Sequence, residues 1–375
     1  MKQVLVYTFL LINIVAIFAI GIASLSVYIS PEKYWFMALF GMAYPYLLVI
    51  NMGFILLWIF FKPIFALLSI LVVLAGYNHI SNYVQLSGKT TPDKGVRITS
   101  YNVRYFMGNN EAPSKENADH ILNFLRQNNA DIICLQEVIF NKRQIFDIKN
   151  TGLPFVNHMQ LAHHSYAGGQ LTMTRFPILN MEEIRFENSG NMIIFTDILM
   201  DTDTIRVYNC HLQSYRLREA EINSLDSINF NTQPKTKKKV MEIGVKFKDA
   251  IIKRAKQVET LRESINKSPY PVIVCGDFND TPVSYTYRTV KGDLEDSFTQ
   301  SGTGTANTYH GKLPSFRIDY ILYSPIFTSY NFEVSNLNRS DHFPISCDLF
   351  PATKYRKSNN LSPQLKILFK PKQYR

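Results

Sequence analysis

Val272-Ile273-Val274-Cys275-Gly276-Asp277-Phe278-Asn279-Asp280-Thr281-Pro282 runs an apolar stretch into a Gly-Asp-Phe-Asn turn. The β-branched run reads as a buried strand, and the turn formers after it mark its end. Residues two apart on an extended chain share a face, so the carboxylate of Asp277 and the carboxamide of Asn279 emerge together at the strand end. That pairing suits a metal, a phosphate and an attacking water. The same residue types also make ordinary turns, so the rest of the chain must decide.

Upstream, Phe247, Ile251, Ala255, Val258, Leu261 and Ile265 form one apolar stripe of a long helix, which Pro269 and Pro271 terminate just before the strand. The same alternation occurs earlier. Val96–Val103 reads as a strand, Ser114 as the N-cap of a helix with Ala118, Ile121, Leu122 and Leu125 on one face, and Asn128-Asn129 as its stop; Asp131–Glu137 is the next strand. Further strands are expected at Gly169–Thr174, Ile193–Met200, Thr204–His211, Ile318–Tyr323 and Ile345–Phe350, with no internal repeat. The alternation predicts an α/β (α+β) sandwich over residues 95–350. His163 and His164 are expected on a solvated loop, since adjacent extended residues point apart.

The front of the chain is different. Val4–Ile29, Tyr34–Phe61 and Pro63–Leu86 carry no Asp, Glu, Lys or Arg, and a bilayer crossing needs about 20 such residues. Three membrane helices, 4–29, 34–61 and 63–82, are expected within an anchor of residues 1–88, the third having a re-entrant segment as its alternative. The first run is too long for the core of a signal peptide. Asn13 and Asn51 are expected to bond inside the helix bundle and Pro45 to kink the second span. The expected location is integral to a membrane, the bacterial inner membrane. An odd number of spans puts the chain ends on opposite faces, and counting Lys2 and Lys62 against Lys33, Lys89, Lys94 and Arg97 leans to a cytoplasmic domain without deciding it.

Cys134, Cys210, Cys275 and Cys347 each sit in an apolar run and read as buried free thiols, with no Cys/His cluster to suggest zinc. The net charge is +10. Lys235–Lys256 and the tail 351–375 are strongly basic, which suits a solvated surface or a polyanion such as nucleic acid or lipid headgroups. No protein partner is implied.

Polar residues stand at strand ends in six places: Ser100-Tyr101-Asn102-Val103-Arg104, Leu135-Gln136-Glu137, Asn209-Cys210-His211-Leu212, Gly276-Asp277-Phe278-Asn279, Arg317-Ile318-Asp319-Tyr320 and Ser340-Asp341-His342-Phe343-Pro344-Ile345. In kind and order this set resembles the endonuclease/exonuclease/phosphatase superfamily. The resemblance implies two packed mixed β-sheets flanked by helices in a four-layer sandwich, with the site at the strand ends on one edge. Arg104 and His211 make it more similar to the deoxyribonuclease and neutral sphingomyelinase branches than to abasic-site nucleases.

Phosphodiester hydrolysis needs a Lewis acid, an oriented water, charge stabilisation and a proton for the leaving oxygen. Glu137 is a hard ligand for Mg²⁺, with Mn²⁺ or Ca²⁺ as alternatives and Asp341 and Asp277 as candidate further ligands; the resemblance implies that Asn102 supports the metal. His211 and His342 are the proton-transfer groups. The resemblance implies that Asp319 orients His342, that Asn279 contacts the phosphate or the water, and that the base is His342 or Asp277. Arg104 and Asn209 are expected to contact substrate. The carboxylate orienting His211 is not evident from the motifs, Glu187 being the candidate. The expected reaction is nuclease-like hydrolysis by a membrane-anchored enzyme. A lipid headgroup phosphodiesterase or phosphoinositide phosphatase is the alternative, and a catalytically silent scaffold a remote one.

Overall fold

The computed structural model describes residues 2–108, 112–139, 152–153, 158–164, 168–200, 202–215, 217, 221, 234–311 and 314–352. The basic tail lies outside them beyond Ala352. The fold divides into two compact units: Met1–Val84 with Tyr215–Val258 and Asp280–Val290, and Gln85–Ser214 with Glu259–Asn279 and Lys291–Arg375. The chain thus returns twice to the first unit after Ser214, which a boundary drawn from composition at 88–95 does not include.

The first unit holds helices α1 (Lys2–Ser26), α2 (Pro31–Tyr34), α3 (Met37–Met42), α4 (Tyr44–Phe61), α5 (Pro63–Ala75) and α6 (Tyr77–Ser81), all but α2 drawn from the uncharged runs. Pro45 lies in the first turn of α4, where a missing N–H leaves no bond unmade, so it starts a helix instead of kinking one. The third run breaks at Gly76, leaving α5 at 13 residues, about 20 Å against a hydrocarbon core of about 30 Å. Among the described residues two helices, α1 and α4, are long and apolar enough to cross a bilayer, rather than the three expected. The argument from an odd number of spans lapses with the third.

Inside this unit Asn13 Nδ2 donates to Ser69 Oγ at 2.8 Å, Trp58 Nε1 donates to Asn13 Oδ1 at 2.8 Å, and Asn51 Nδ2 donates to the Ala16 carbonyl at 3.2 Å. All four side chains are buried, as expected for Asn13 and Asn51. Outside, Val15, Phe18, Phe60 and Leu71 are exposed. The polar groups are satisfied within and the apolar ones face out.

The second unit holds strands β1 (Val96–Asn102), β2 (Ile132–Val138), β3 (His158–His164), β4 (Gly168–Thr174), β5 (Ile178–Arg185), β6 (Met192–Met200), β7 (Asp203–His211), β8 (Val272–Asp277), β9 (Glu295–Asp296), β10 (Asp319–Tyr323), β11 (Phe327–Val334) and β12 (Ile345–Pro351). They form two sheets, ordered β11-β12-β1-β2-β4-β3 and β5-β6-β7-β8-β10-β9. Each mixes one parallel pair, β1/β2 or β7/β8, with antiparallel neighbours. Ile98, Cys134, Val207, Cys275, Ile321 and Cys347 pack between the sheets, and all four cysteines are buried and free.

Helix α7 (Lys115–Asn128) covers the other face of the first sheet through Ala118, Ile121, Leu122 and Leu125. Ser114 caps it by accepting from Asn117 N, and Asn129 ends it in the left-handed region. The 34-residue helix α8 (Pro234–Lys267) buries Ile251, Ala255, Val258, Leu261 and Ile265, as the stripe predicts. Short helices α9 (Tyr285–Lys291) and α10 (Ser297–Ser301) complete the fold. His163 and His164 belong to β3, paired with Gly169 and Gly168, rather than to a loop. The hydroxyl that keeps the chain turning after β4 is Thr174, whose Oγ1 accepts from Phe176 N at 3.2 Å.

Candidate active site

Asn102 ends β1, Glu137 is the penultimate residue of β2, His211 ends β7, Asp277 ends β8 and Asp319 opens β10. His211 pairs in register with Asp277, and Asp277 with Asp319, so three motif residues line up across one sheet. The Gly-Asp-Phe-Asn turn can form only around glycine. Gly276 has φ 135°, and a Cβ there would lie 2.0 Å from the Cys210 carbonyl oxygen on the neighbouring strand. Beyond it Asn279 is left-handed, with its backbone N donating to Asp277 Oδ1 at 2.8 Å and its Nδ2 to Asp277 Oδ2 at 3.1 Å and to the Leu212 carbonyl at 3.0 Å. Glu137 and the run Arg104-Tyr105-Phe106 also have positive φ, a strain that tends to collect at functional sites.

His342 lies between two carboxylates. Its Nδ1 is 2.9 Å from Asp319 Oδ2 and its Nε2 is 3.6 Å from Asp277 Oδ2. Burial alone would push its pKa down, but Asp319 and Asp277 outweigh burial and hold it well above the ordinary histidine value. Burial pushes Asp277 up to about 6, against the opposing pull of His342.

His211 and Glu137 form a second buried pair, with Nε2 3.3 Å from Oε1. Burial disfavours charge on both, yet their attraction prevails: His211 is held above its ordinary value and Glu137 below. His211 Nε2 is buried, at the end of a strand beside the Asp277 turn, and the acceptor it faces is Glu137 Oε1. The carboxylate beside His211 is Glu137; Glu187, the candidate from sequence, is exposed beyond β5.

Asn102 is brought to the centre. Its Oδ1 accepts from Arg104 N at 3.0 Å, and its Nδ2 faces the carboxylates of Asp277 at 3.0 Å and Glu137 at 3.3 Å. Asp341 lies at the rim, 3.5 Å from Arg104 Nε. Arg104 is partly exposed there, and its Nη1 donates to the Gly108 carbonyl at 3.2 Å.

Asn209 is not open to substrate. It is fully buried, its Oδ1 accepts from Gln136 Nε2 at 2.8 Å, and its Nδ2 donates to the Leu135 and Leu171 carbonyls at 3.2 and 3.1 Å. An amide in a strand of one sheet is thus consumed by β2 and β4 of the other, tying the sheets together. This corrects the expected substrate contact.

Sequence reading missed the groups that hold the charged ones. Thr308 Oγ1 accepts from Ile318 N and Asp319 N at 3.0 and 3.2 Å, fixing the start of β10. Tyr309 packs edge-on against His342, ring centres 5.3 Å apart. Ser340 Oγ donates to the Asn102 carbonyl at 2.7 Å, joining the first and last motifs. Thr308 and Tyr309 sit in an irregular segment with neither apolar periodicity nor a charged residue to mark them.

The site suits a divalent cation. Asp277, Asp319 and His342 bring one ligand atom each within 4.8 Å of one another, but both nitrogens of His342 already face carboxylates. Glu137 and Asp341 are the oxygen donors outside that group, and hard oxygen donors with room for waters are what Mg²⁺ takes.

A family model described as the Endonuclease/Exonuclease/phosphatase family matches residues 99–342. A second, described as a domain of unknown function (DUF8431), matches residues 6–83. No curated protein matches the chain. Among solved structures, the endonuclease/exonuclease/phosphatase from Beutenbergia cavernae DSM 12333 is similar at TM-score 0.50 and 17% identity, over 69% of this chain and 72% of that one. TDP2 of D. rerio, solved in complex with single strand DNA product, is similar at TM-score 0.50 and 18% identity, over 68% of this chain and 99% of that one. At such identities the likeness bears on the fold.

Proposed function

Because the chain belongs to the endonuclease/exonuclease/phosphatase family, whose members hydrolyse phosphoester bonds, we propose that it is a membrane-anchored, Mg²⁺-dependent phosphodiesterase with Asp277 as the base. The observation that carries this reading is Asp277 itself: a buried carboxylate with its pKa raised to about 6, braced by Asn102, Asn279 and the His342 imidazolium. A base poised near working pH is what proton abstraction from water requires. His342, already protonated and oriented by Asp319, is the poorer base and the better electrostatic partner for a phosphoryl group.

In this reading water attacks phosphorus, Asp277 receives its proton, and the P–O bond to the leaving group breaks. His211, held above its ordinary value by Glu137, gives its Nε2 proton to the departing oxygen. Asn279 and Arg104 hold the phosphoryl oxygens. Mg²⁺ held by Glu137 and Asp341 would supply Lewis-acid stabilisation of the same oxygens, and Mn²⁺ or Ca²⁺ would find the same donors.

The anchor, assigned to residues 1–88 ahead of a hydrolase domain at 95–350, rests on α1 and α4. Only 17% of the most apolar window of each is buried, and a helix that turns its apolar side chains outward and its amides inward suits a lipid environment. Nucleic acid is the first substrate reading, favoured by the net charge of +10 and by Arg104 at the rim. A lipid headgroup is the second, favoured by the apolar helices themselves.

The test uses the full chain with Mg²⁺, presented with plasmid DNA, RNA, sphingomyelin and phosphoinositides, beside Asp277→Asn and His342→Ala. Cleavage of DNA or RNA that both substitutions abolish supports the first reading. Cleavage of lipid alone selects the second, and activity indifferent to both substitutions refutes the site.

A further inference from the structure

The first sixteen or so residues of α8 carry a face that the hydrolase reading leaves unused. Lys238, Met241, Val245 and Lys248 are spaced three, four and three apart, so they lie along one stripe of the helix about 15 Å long. Met241 is 73% and Val245 51% exposed, and both lysines are exposed. The opposite face is the packed one: Ile243 and Ala250 are buried. The stripe also passes the exposed acids Glu242 and Asp249, but Lys235–Lys256 contains nine Lys and Arg residues against these two.

This part of α8 belongs to the same compact unit as α1 and α4. Lys256 Nζ meets Glu32 of α2 at 3.1 Å, and Phe247 stacks on Tyr215 at 4.3 Å between ring centres. On this stretch Met241 and Val245 lie exposed between lysines. That arrangement suits a helix lying in a bilayer interface, because the apolar side chains enter the acyl boundary while lysines reach to anionic headgroups.

We propose that the Lys238–Lys248 stripe of α8 rests on the surface of an anionic bilayer, the same one that α1 and α4 enter. This rests on the membrane reading above, and the experiment separates the two. The four native cysteines are buried, so single exposed cysteines can be spin-labelled selectively. Met241→Cys, Val15→Cys on α1 and Lys267→Cys at the far end of α8 are placed in the full chain and reconstituted into nanodiscs of phosphatidylcholine with phosphatidylglycerol. Access to oxygen and to a water-soluble nickel chelate is then read at each label.

The expected result is nickel access at 241 well below that at 267, approaching that at 15. A rise at 241, with 15 unchanged, is expected in phosphatidylcholine alone or when Lys238→Glu and Lys248→Glu are added. Nickel access at 241 equal to that at 267, with 15 shielded, overturns the proposal and leaves the spans standing. Access at 15 equal to that at 267 overturns both. A depth at 241 indifferent to lipid charge and to the two substitutions refutes the anionic partner.

Discussion

Asp277→Asn should make the protein both inactive and more stable, the stabilisation growing with pH. The substitution keeps the shape and removes an ionisable group whose pKa rises from the ordinary 3.8 to about 6 on folding, because burial penalises its charge. A group raised in this way stabilises the fold while protonated, and that contribution is lost as pH climbs from 3.8 through 6. Between pH 4 and pH 6 the linkage amounts to about 2 kcal/mol, at about 1.4 kcal/mol per pK step. His342 is held above its ordinary value and an unfolded histidine is mostly protonated below about pH 6.5, so it adds little to the slope over that window. The variant carries no such penalty, so its stability relative to the parent should rise by about 2 kcal/mol across the window. Urea unfolding of full-length parent and variant at pH 4, 5 and 6 gives the difference directly. Activity should fall by about 10²–10⁴-fold, the usual scale of a lost general base. A stability difference flat with pH, or one that shrinks, would refute the buried, raised carboxylate as the base.

Asp319→Asn removes the charge 2.9 Å from His342 Nδ1; a charged hydrogen bond of about 1.5–3 kcal/mol corresponds to about 10–150-fold in rate. The imidazolium should then be lost at lower pH, moving the alkaline limb of the kcat/KM profile downward. Gly276→Ala places a methyl 2.0 Å from the Cys210 carbonyl oxygen, and a loss of at least about 4 kcal/mol should appear as failure to fold or a collapsed melting temperature. Ser114→Ala deletes the cap that accepts from Asn117 N; about 1 kcal/mol is expected, with activity retained when assayed below the melting transition.

What was legible in the chain followed from how each residue is exposed to selection by local geometry. Asp277, Asn279, Asp319 and His342 stand at or just outside the ends of apolar strands, and such polar edges are visible without a structure. Glu137 was visible for the same reason, but its partner His211 was not paired with it, because the meeting of β2 and β7 is a contact between sheets. Asn102 and Asn209 show the limit most clearly. Both amides were placed in the right region, yet only the hydrogen bonds reveal that one faces two carboxylates and the other is spent inside. Edge strands escaped notice too: β5 includes Asn180, Glu182 and Glu183, with most of its residues exposed, so it lacks the apolar run that marks a central strand. The third uncharged run read as a span because composition counts residues, whereas Gly76 ends the helix.

The amide tie between Gln136 and Asn209 sits one residue from Glu137 on one strand and two from His211 on another. It works as a caliper, closing at 2.8 Å inside the sandwich and thereby setting the opening of the acid–imidazole jaw above it at 3.3 Å. That gauge is kept by two uncharged side chains buried between the sheets, away from the loops around the mouth.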